Sequence, residues 1–141
     1  MARPAEAIET AIRYRFSAPT SPRELAEIFE TSGLRCPLDD PRRIRKKGDH
    51  ANFTVTAWED KKIGGVVRAL TDFAFCCYVS DLGVCAKYPR KGSGKRLLRL
   101  FHRKRGEEVM VLLLSAPGAI EYYPKVGFEK AENVWKIHRA R

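Results

Sequence analysis

Two glycines set among cations, Arg90-Lys91-Gly92-Ser93-Gly94-Lys95, make up the part of this 141-residue sequence best suited to holding a ligand. Leu97, Leu98, Leu100 and Phe101 follow at helical spacing and end at Gly106, so the loop opens a helix. A helix N-terminus presents unpaired N–H donors and a partial positive charge, and glycine removes the side chains that would keep an anion off that backbone. Nine Lys or Arg residues and no acidic one stand between Leu82 and Gly106, which concentrates positive charge at the same place. The chemistry this suits is the binding of a diphosphate; a tight glycine turn with solvated charges reads the same residues equally well. Two familiar phosphate motifs fail. A nucleotide P-loop needs glycine at the position of Pro89 and Ser or Thr at that of Arg96, and the dinucleotide fingerprint needs a small residue where Leu97 stands. ATP hydrolysis and NAD chemistry lose ground accordingly.

The rest of the chain offers little other chemistry. His50, His102 and His138 show no spacing that ties them to the loop, His102 reading as part of an exposed helix face, and Cys85 has no neighbouring histidine to activate it. Cys36, Cys76, Cys77 and Cys85 contain no C-x-x-C pair, so neither zinc site nor disulfide framework is encoded, and buried thiols in a reducing compartment are expected. In a strand, Cys76 and Cys77 point to opposite faces. With 27 basic and 17 acidic residues the formal charge is +10, which favours an anionic partner: nucleic acid, an anionic membrane surface or a phosphorylated small molecule. The longest apolar run, Val109 to Leu114, is far short of the roughly 18–20 residues of a membrane span. Met1 to Thr10 lacks a signal-peptide apolar region, and a cytoplasmic location is expected.

The elements that must position the loop follow from periodicity. With no repeat and no linker, one domain is expected over residues 1–141, residues 1–10 being poorly ordered. Ile12 to Phe16 alternates as a half-buried strand, and Ser21-Pro22-Arg23-Glu24 supplies a capping box for a helix from Pro22 to about Thr31, closed by Gly33. Arg42 to Lys47 is a short, basic helical stretch with a solvated face. Asn52 to Trp58 and Ile63 to Leu70 form a hairpin, and Phe73 to Val84 reads as a strand buried on both faces at the centre of a sheet. Val109 to Leu114 is a second buried strand, parallel to the first across the glycine-loop helix. A short helix over Ala116 to Tyr123 and one or two closing strands within Phe128 to Arg139 complete the pattern.

Ser80 to Leu98 (SDLGVCAKYPRKGSGKRLL), followed after one strand by Ala119 to Phe128 (AIEYYPKVGF), resembles the GNAT superfamily of N-acetyltransferases. The resemblance runs over about residues 12 to 139. It implies a single-domain α/β fold: a mixed central β-sheet flanked by helices and splayed between the two central parallel strands, which end at Val84 and Leu114. It further implies acetyl-CoA as co-substrate, with no metal, and an amine as acceptor. Leu82, Gly83 and Val84 would pair through their backbone with the pantetheine arm, and Arg90, Lys91, Gly92, Ser93, Gly94 and Lys95 would hold the pyrophosphate. Tyr123 occupies the family's position for a general acid that protonates the departing thiolate, with Tyr122 as a core aromatic. Asp81, at the end of the central strand, is the candidate to take the proton of the amine. The chain departs from the family pattern at Pro89, Ala116 and Pro124. Two other readings stand beside the enzyme: a nucleic-acid-binding module using Arg42 to Lys47 and Arg96 to Arg105, and an inactive coenzyme A-binding protein of the same fold. Neither nucleic acid nor a membrane is an expected partner of the leading reading, and a homodimer is compatible with it.

Overall fold

Residues 11–32, 39–85 and 93–141 are described by the computed structural model. Strand β1 (Ile12–Phe16) leads into helix α1 (Pro22–Thr31), where Ser21 Oγ accepts from the Glu24 amide at 3.1 Å and Glu24 Oε1 accepts from the Ser21 amide at 2.9 Å, the expected reciprocal cap. Gly33 lies outside the described residues. Helix α2 (Pro41–His50) is longer than its basic core because Asp40 caps it through the Arg43 amide and Pro41 fits the first turn. Strands β2 (Phe53–Glu59), β3 (Lys62–Thr71) and β4 (Cys76–Val84) follow as an antiparallel meander, then helix α3 (Ser93–Arg105) and strand β5 (Met110–Leu113), which pairs with β4 in parallel. The sheet order is β1-β2-β3-β4-β5. No helix among the described residues is long and apolar enough to cross a membrane.

Each face of the sheet carries its own core. Phe53, Val55, Val67, Cys77 and Val79 pack against Leu97 and Phe101 of α3, the Phe53 and Phe101 rings stacking at 5.0 Å. Trp58, Ile63 and Val66 pack on the other face against Leu25, Ile28 and Phe29 of α1 and Ile44 of α2. Gly65 lets α3 approach: a Cβ there would lie 2.9 Å from Leu97 Cδ1. Between Arg68 and Ala69 the β3–β4 register shifts, Arg68 pairing with Asp81 and Ala69 with Val79, so Ser80 is an extra, bulged residue. Val79 therefore faces α3, whereas Asp81 faces α2.

Five expectations are corrected. The strand expected from Phe73 begins at Cys76 because Asp72 Oδ1 accepts from the amides of Ala74, Phe75 and Cys76 at 2.8 to 3.1 Å, folding residues 72–76 into a turn with Phe73 at φ 58°. Strand β4 is buried on one face in its first half, Cys77 lying inside and Cys76 and Tyr78 outside; the long apolar run reflects an uncovered face rather than double burial. Cys76 is accordingly an exposed thiol. The helix expected over Ala116 to Tyr123 is two 3₁₀ turns, Pro117–Ala119 and Tyr123–Val126, since Pro124 denies an α-helix its amide donor. Residues 127–141 form no strand and the closing strands are absent from the sheet.

The Asp72 turn gives a pH signature. Its three amide donors hold the carboxyl down from 3.8 to about 2. A carboxyl lowered by folding contributes stability above its unfolded value and loses that contribution as pH falls through the folded value. The melting temperature of wild type should therefore exceed that of Asp72→Ala at neutral pH, with the gap closing between pH 3.8 and about 2 in thermal unfolding followed by circular dichroism.

Candidate functional site

The parallel ladder between β4 and β5 covers only Cys76–Val79 and Met110–Leu113, and β4 continues through Ser80 to Val84 past the last pair. Two adjoining cavities open along this stretch. One, about 430 Å³, is lined by Leu82 and Val84 of β4, by Ser93, Gly94 and Lys95 at the start of α3, and by Ala119, Tyr122 and Tyr123. The other, about 420 Å³, shares Leu82, Ala119 and Tyr123 and runs on to Ser32, Val79, Ser80, Leu113 and Leu114. Among its described lining residues none is charged.

Six of the anticipated residues converge here: Leu82, Val84, Ser93, Gly94, Lys95 and Tyr123. Gly83 is buried and pairs with Val66 across the sheet, so it contributes backbone but lines neither cavity. Arg90, Lys91 and Gly92, like Pro89, lie outside the described residues. The bulge makes the convergence possible. After Ser80 the side chains of Leu82 and Val84 fall on the α3 face, beside the helix start. Gly94 leaves room for Tyr122 at that start: a Cβ there would meet the Tyr122 hydroxyl at 3.2 Å, and the ring would have to give by a few tenths of an ångström. An anion reaching the first amides of α3 would meet the helix dipole and Lys95 together.

Tyr123 stands where the two cavities meet. Its ring packs edge-on against Tyr122 and Phe128, both at 5.4 Å between centroids. Burial, and secondarily the neighbouring Tyr122, raise its pKa above the ordinary 10.0. The phenol is therefore neutral at physiological pH and can donate its proton. Tyr122, expected as a core aromatic, instead lines the cavity with its hydroxyl over Gly94, and burial raises its pKa too. Tyr122 caps and Tyr123 opens the 3₁₀ turn Tyr123–Val126, and both rings line the cleft.

Asp81 is placed differently from its expected role as proton acceptor. Its carboxylate takes a 2.5 Å bond from Arg68 Nε and a 3.4 Å contact from Lys47 Nζ, on the face opposite Leu82 and Val84. Arg68, 4% exposed, also donates to the Lys47 carbonyl at 3.0 Å and to Ser80 Oγ at 2.5 Å. The geometry makes Asp81 the counter-ion of a buried guanidinium. A guanidinium only donates, so Ser80 Oγ accepts from Arg68 and turns its own hydrogen elsewhere. Ser80 and Ser32, whose buried Oγ finds no partner among the described residues, are cavity hydroxyls that sequence reasoning missed. The bulge that exposes Ser80 is a property of strand pairing, invisible in one strand. His102, expected on an exposed face, is half-buried between Phe101 and Phe128, accepts from Arg105 at 3.0 Å, and is shifted below its ordinary pKa by that burial.

The family model described as an acetyltransferase (GNAT) domain matches residues 49–130. Solved structures share the fold. A probable acetyltransferase from methicillin-resistant Staphylococcus aureus superposes with a TM-score of 0.77 at 18% identity, covering 93% of this chain and 100% of its own. A proposed acetyltransferase from Deinococcus radiodurans R1 gives 0.73 at 24% identity, covering 95% and 92%. An aminoglycoside N-acetyltransferase solved in complex with CoA gives 0.65 at 12% identity, covering 96% and 99%. A search among curated proteins finds no match.

Breaking the buried pair should cost more than a surface ion pair would. Asp81→Asn leaves the Arg68 charge without its counter-ion and is expected to lower stability by about 3–5 kcal/mol in urea unfolding. A loss below about 1 kcal/mol, the value of an exposed pair, would show that Asp81 does not hold Arg68 in solution.

Proposed function

Because the chain belongs to the GNAT acetyltransferase family, we propose that it transfers an acetyl group from acetyl-CoA to a primary amine, of a small molecule or a peptide. The observation that carries this reading is the convergence of a β4 edge that has no strand partner beyond Val79 among the described residues, the glycine-started helix α3 and a neutral, half-buried Tyr123 on one cleft. The residues fit the cofactor. The first amides of α3, with Gly94 bare of a side chain, suit a pyrophosphate, and Lys95 adds a charge-assisted contact. Arg90, Lys91 and Gly92 belong to the same proposed loop. The β4 backbone beyond Val79, from Leu82 through Gly83 to Val84, offers the edge that a pantetheine arm takes as another strand would, in the gap left by the short β5 ladder.

Acetyl-CoA supplies an activated thioester, open to direct attack by the acceptor nitrogen. Tyr123 holds its proton at the hydroxyl until negative charge develops on sulfur nearby and then gives it to the departing thiolate, and the proton that the acceptor nitrogen releases returns to the phenolate, directly or through solvent. The uncharged cavity running to Ser32 and Ser80 receives the acceptor. Among the described residues hydroxyls, not carboxylates, line it, which disfavours polycationic acceptors relative to amines that carry one positive charge.

Isothermal titration of acetyl-CoA, paired with thiol release over an amine panel, tests the reading. Wild type should bind in the micromolar range, and Gly94→Asp should abolish binding by filling the space beneath Tyr122 and adding negative charge. Tyr123→Phe should bind normally while turnover falls about 10²–10⁴-fold, the usual share of a general acid. Absence of binding in wild type would overturn the acetyltransferase reading, and binding without thiol release to any amine would reduce the protein to a coenzyme A-binding module.

A further inference from the structure

The cavity that runs past Tyr123 holds two side-chain hydroxyls whose hydrogen bonds are incomplete, and what they lack restricts what can enter. Ser80 Oγ accepts from Arg68 Nη2 at 2.5 Å, the charge of that guanidinium being neutralised by Asp81. A hydroxyl carries one hydrogen and two lone pairs, and a guanidinium can only donate. The Ser80 hydrogen is therefore left over, and it meets no acceptor among the described residues. Contact with a cation polarises the O–H bond and makes it the stronger donor.

Ser32 reaches the same cavity from the end of α1, where its amide donates to the Ile28 carbonyl at 2.9 Å. Its neighbour Thr31 places Oγ1 3.1 Å from Cys85 Sγ, which ties this helix end to the chain just beyond β4. Ser32 Oγ is buried and bonds nothing among the described residues, an unmet bond that a polar ligand atom satisfies. Val79, Leu82, Leu113 and Leu114 supply aliphatic wall between the hydroxyls and Tyr123.

Building on the acetyl-transfer reading of this cleft, we infer that Ser80 and Ser32 select primary amines that carry a neutral oxygen one or two carbons from the nitrogen. The attacking nitrogen must keep its lone pair for the thioester carbon. It can give a hydrogen to Ser32, but it cannot accept the one that Ser80 offers. A second atom of the acceptor must take that hydrogen, and a carbonyl or hydroxyl oxygen does so. A methylene in its place leaves the Ser80 donor buried and unmet. A carboxylate would bring its charge against walls with no described cation to meet it. The class is thus an α-amino amide, as at a peptide N-terminus, or an amino alcohol.

Thiol release from acetyl-CoA with four small acceptors tests this: glycinamide and ethanolamine carry the neutral oxygen, propylamine lacks it, and glycine carries a carboxylate. With rates corrected for the unprotonated fraction of each amine, kcat/KM for glycinamide or ethanolamine should exceed that for propylamine and glycine by about tenfold, the worth of one hydrogen bond. The better of the first two tells amide from alcohol. Ser80→Ala should bring the ratio to propylamine close to one, and Ser80→Thr, which keeps the hydroxyl, should preserve it, both folded by circular dichroism. Saturation-transfer NMR of the same four compounds with CoA present reads the preference without turnover. Selective binding of glycinamide or ethanolamine with no thiol release would support the subsite and overturn acetyl transfer. Propylamine or glycine handled as well as both others in wild type would overturn the selection. So would a Ser80→Ala that slows every amine alike, since the Ser80 hydrogen would then serve the thioester carbonyl.

Discussion

A guanidinium buried beneath a sheet must be neutralised and its donors filled, and the way this chain meets that demand organises the site. Arg68 reaches Asp81 and Ser80 on β4 and the Lys47 carbonyl on α2. Those bonds pin both sides of the β4 bulge and tie it to the helix that covers that face. The bulge then decides which side chains look into the cleft, since Leu82 and Val84 reach the α3 face only because one extra residue has shifted the alternation. Moving a charge out of water is costly, and a lone Arg–Asp pair rarely recovers that cost as stability alone. Here the pair also fixes a register.

The chemistry rests on contrasts set up around this scaffold. Positive potential gathers at the start of α3, where Lys95 and the amide dipoles face a cavity, while the adjoining cavity is walled by serines and aliphatic groups. On the proposed reading a polyanionic portion of a ligand would be drawn to one end and a reacting group held among the aliphatic walls at the other. Tyr123 sits at the junction with its phenol protonated, the state an acid requires, and burial raises its pKa further above the ordinary 10.0. Lys47, lying over the Phe29 ring at 4.5 Å, keeps its stem in the second core and its charge beside Asp81, joining the packing of α1 to the electrostatics of β4.

Local signals in the sequence were legible where a few neighbouring residues settle the outcome. The capping box of α1, the hairpin β2–β3, the opposite faces of Cys76 and Cys77, and the glycine start of α3 each depend on short-range geometry, and the structure has them where the spacing put them. Features that depend on pairing between distant segments were not. The bulge at Ser80 exists only relative to β3, so the role of Asp81 could not be read from β4 alone. The run Phe73 to Val84 looked doubly buried because apolar content carries no information about whether a neighbouring element covers it. Phe128 to Arg139 is a segment able to be a strand, but whether it pairs with a distant edge is not written in the segment itself.

The bulge also bears on how such a chain can vary over time. Substitutions along β4 alter one contact each, and many would be absorbed by rotamer changes in the surrounding core. Loss or gain of a single residue near Ser80 is of another kind: it would cancel or double the shift and turn every later side chain in the strand to the wrong face. Asp81 would then point at α3, and Leu82 and Val84 would leave the cleft. Lineages carrying this domain should tolerate changed letters in β4 far more readily than a changed length, and insertions should accumulate in turns such as Glu59 to Lys62, where no alternation lies downstream of the change until the next strand re-registers.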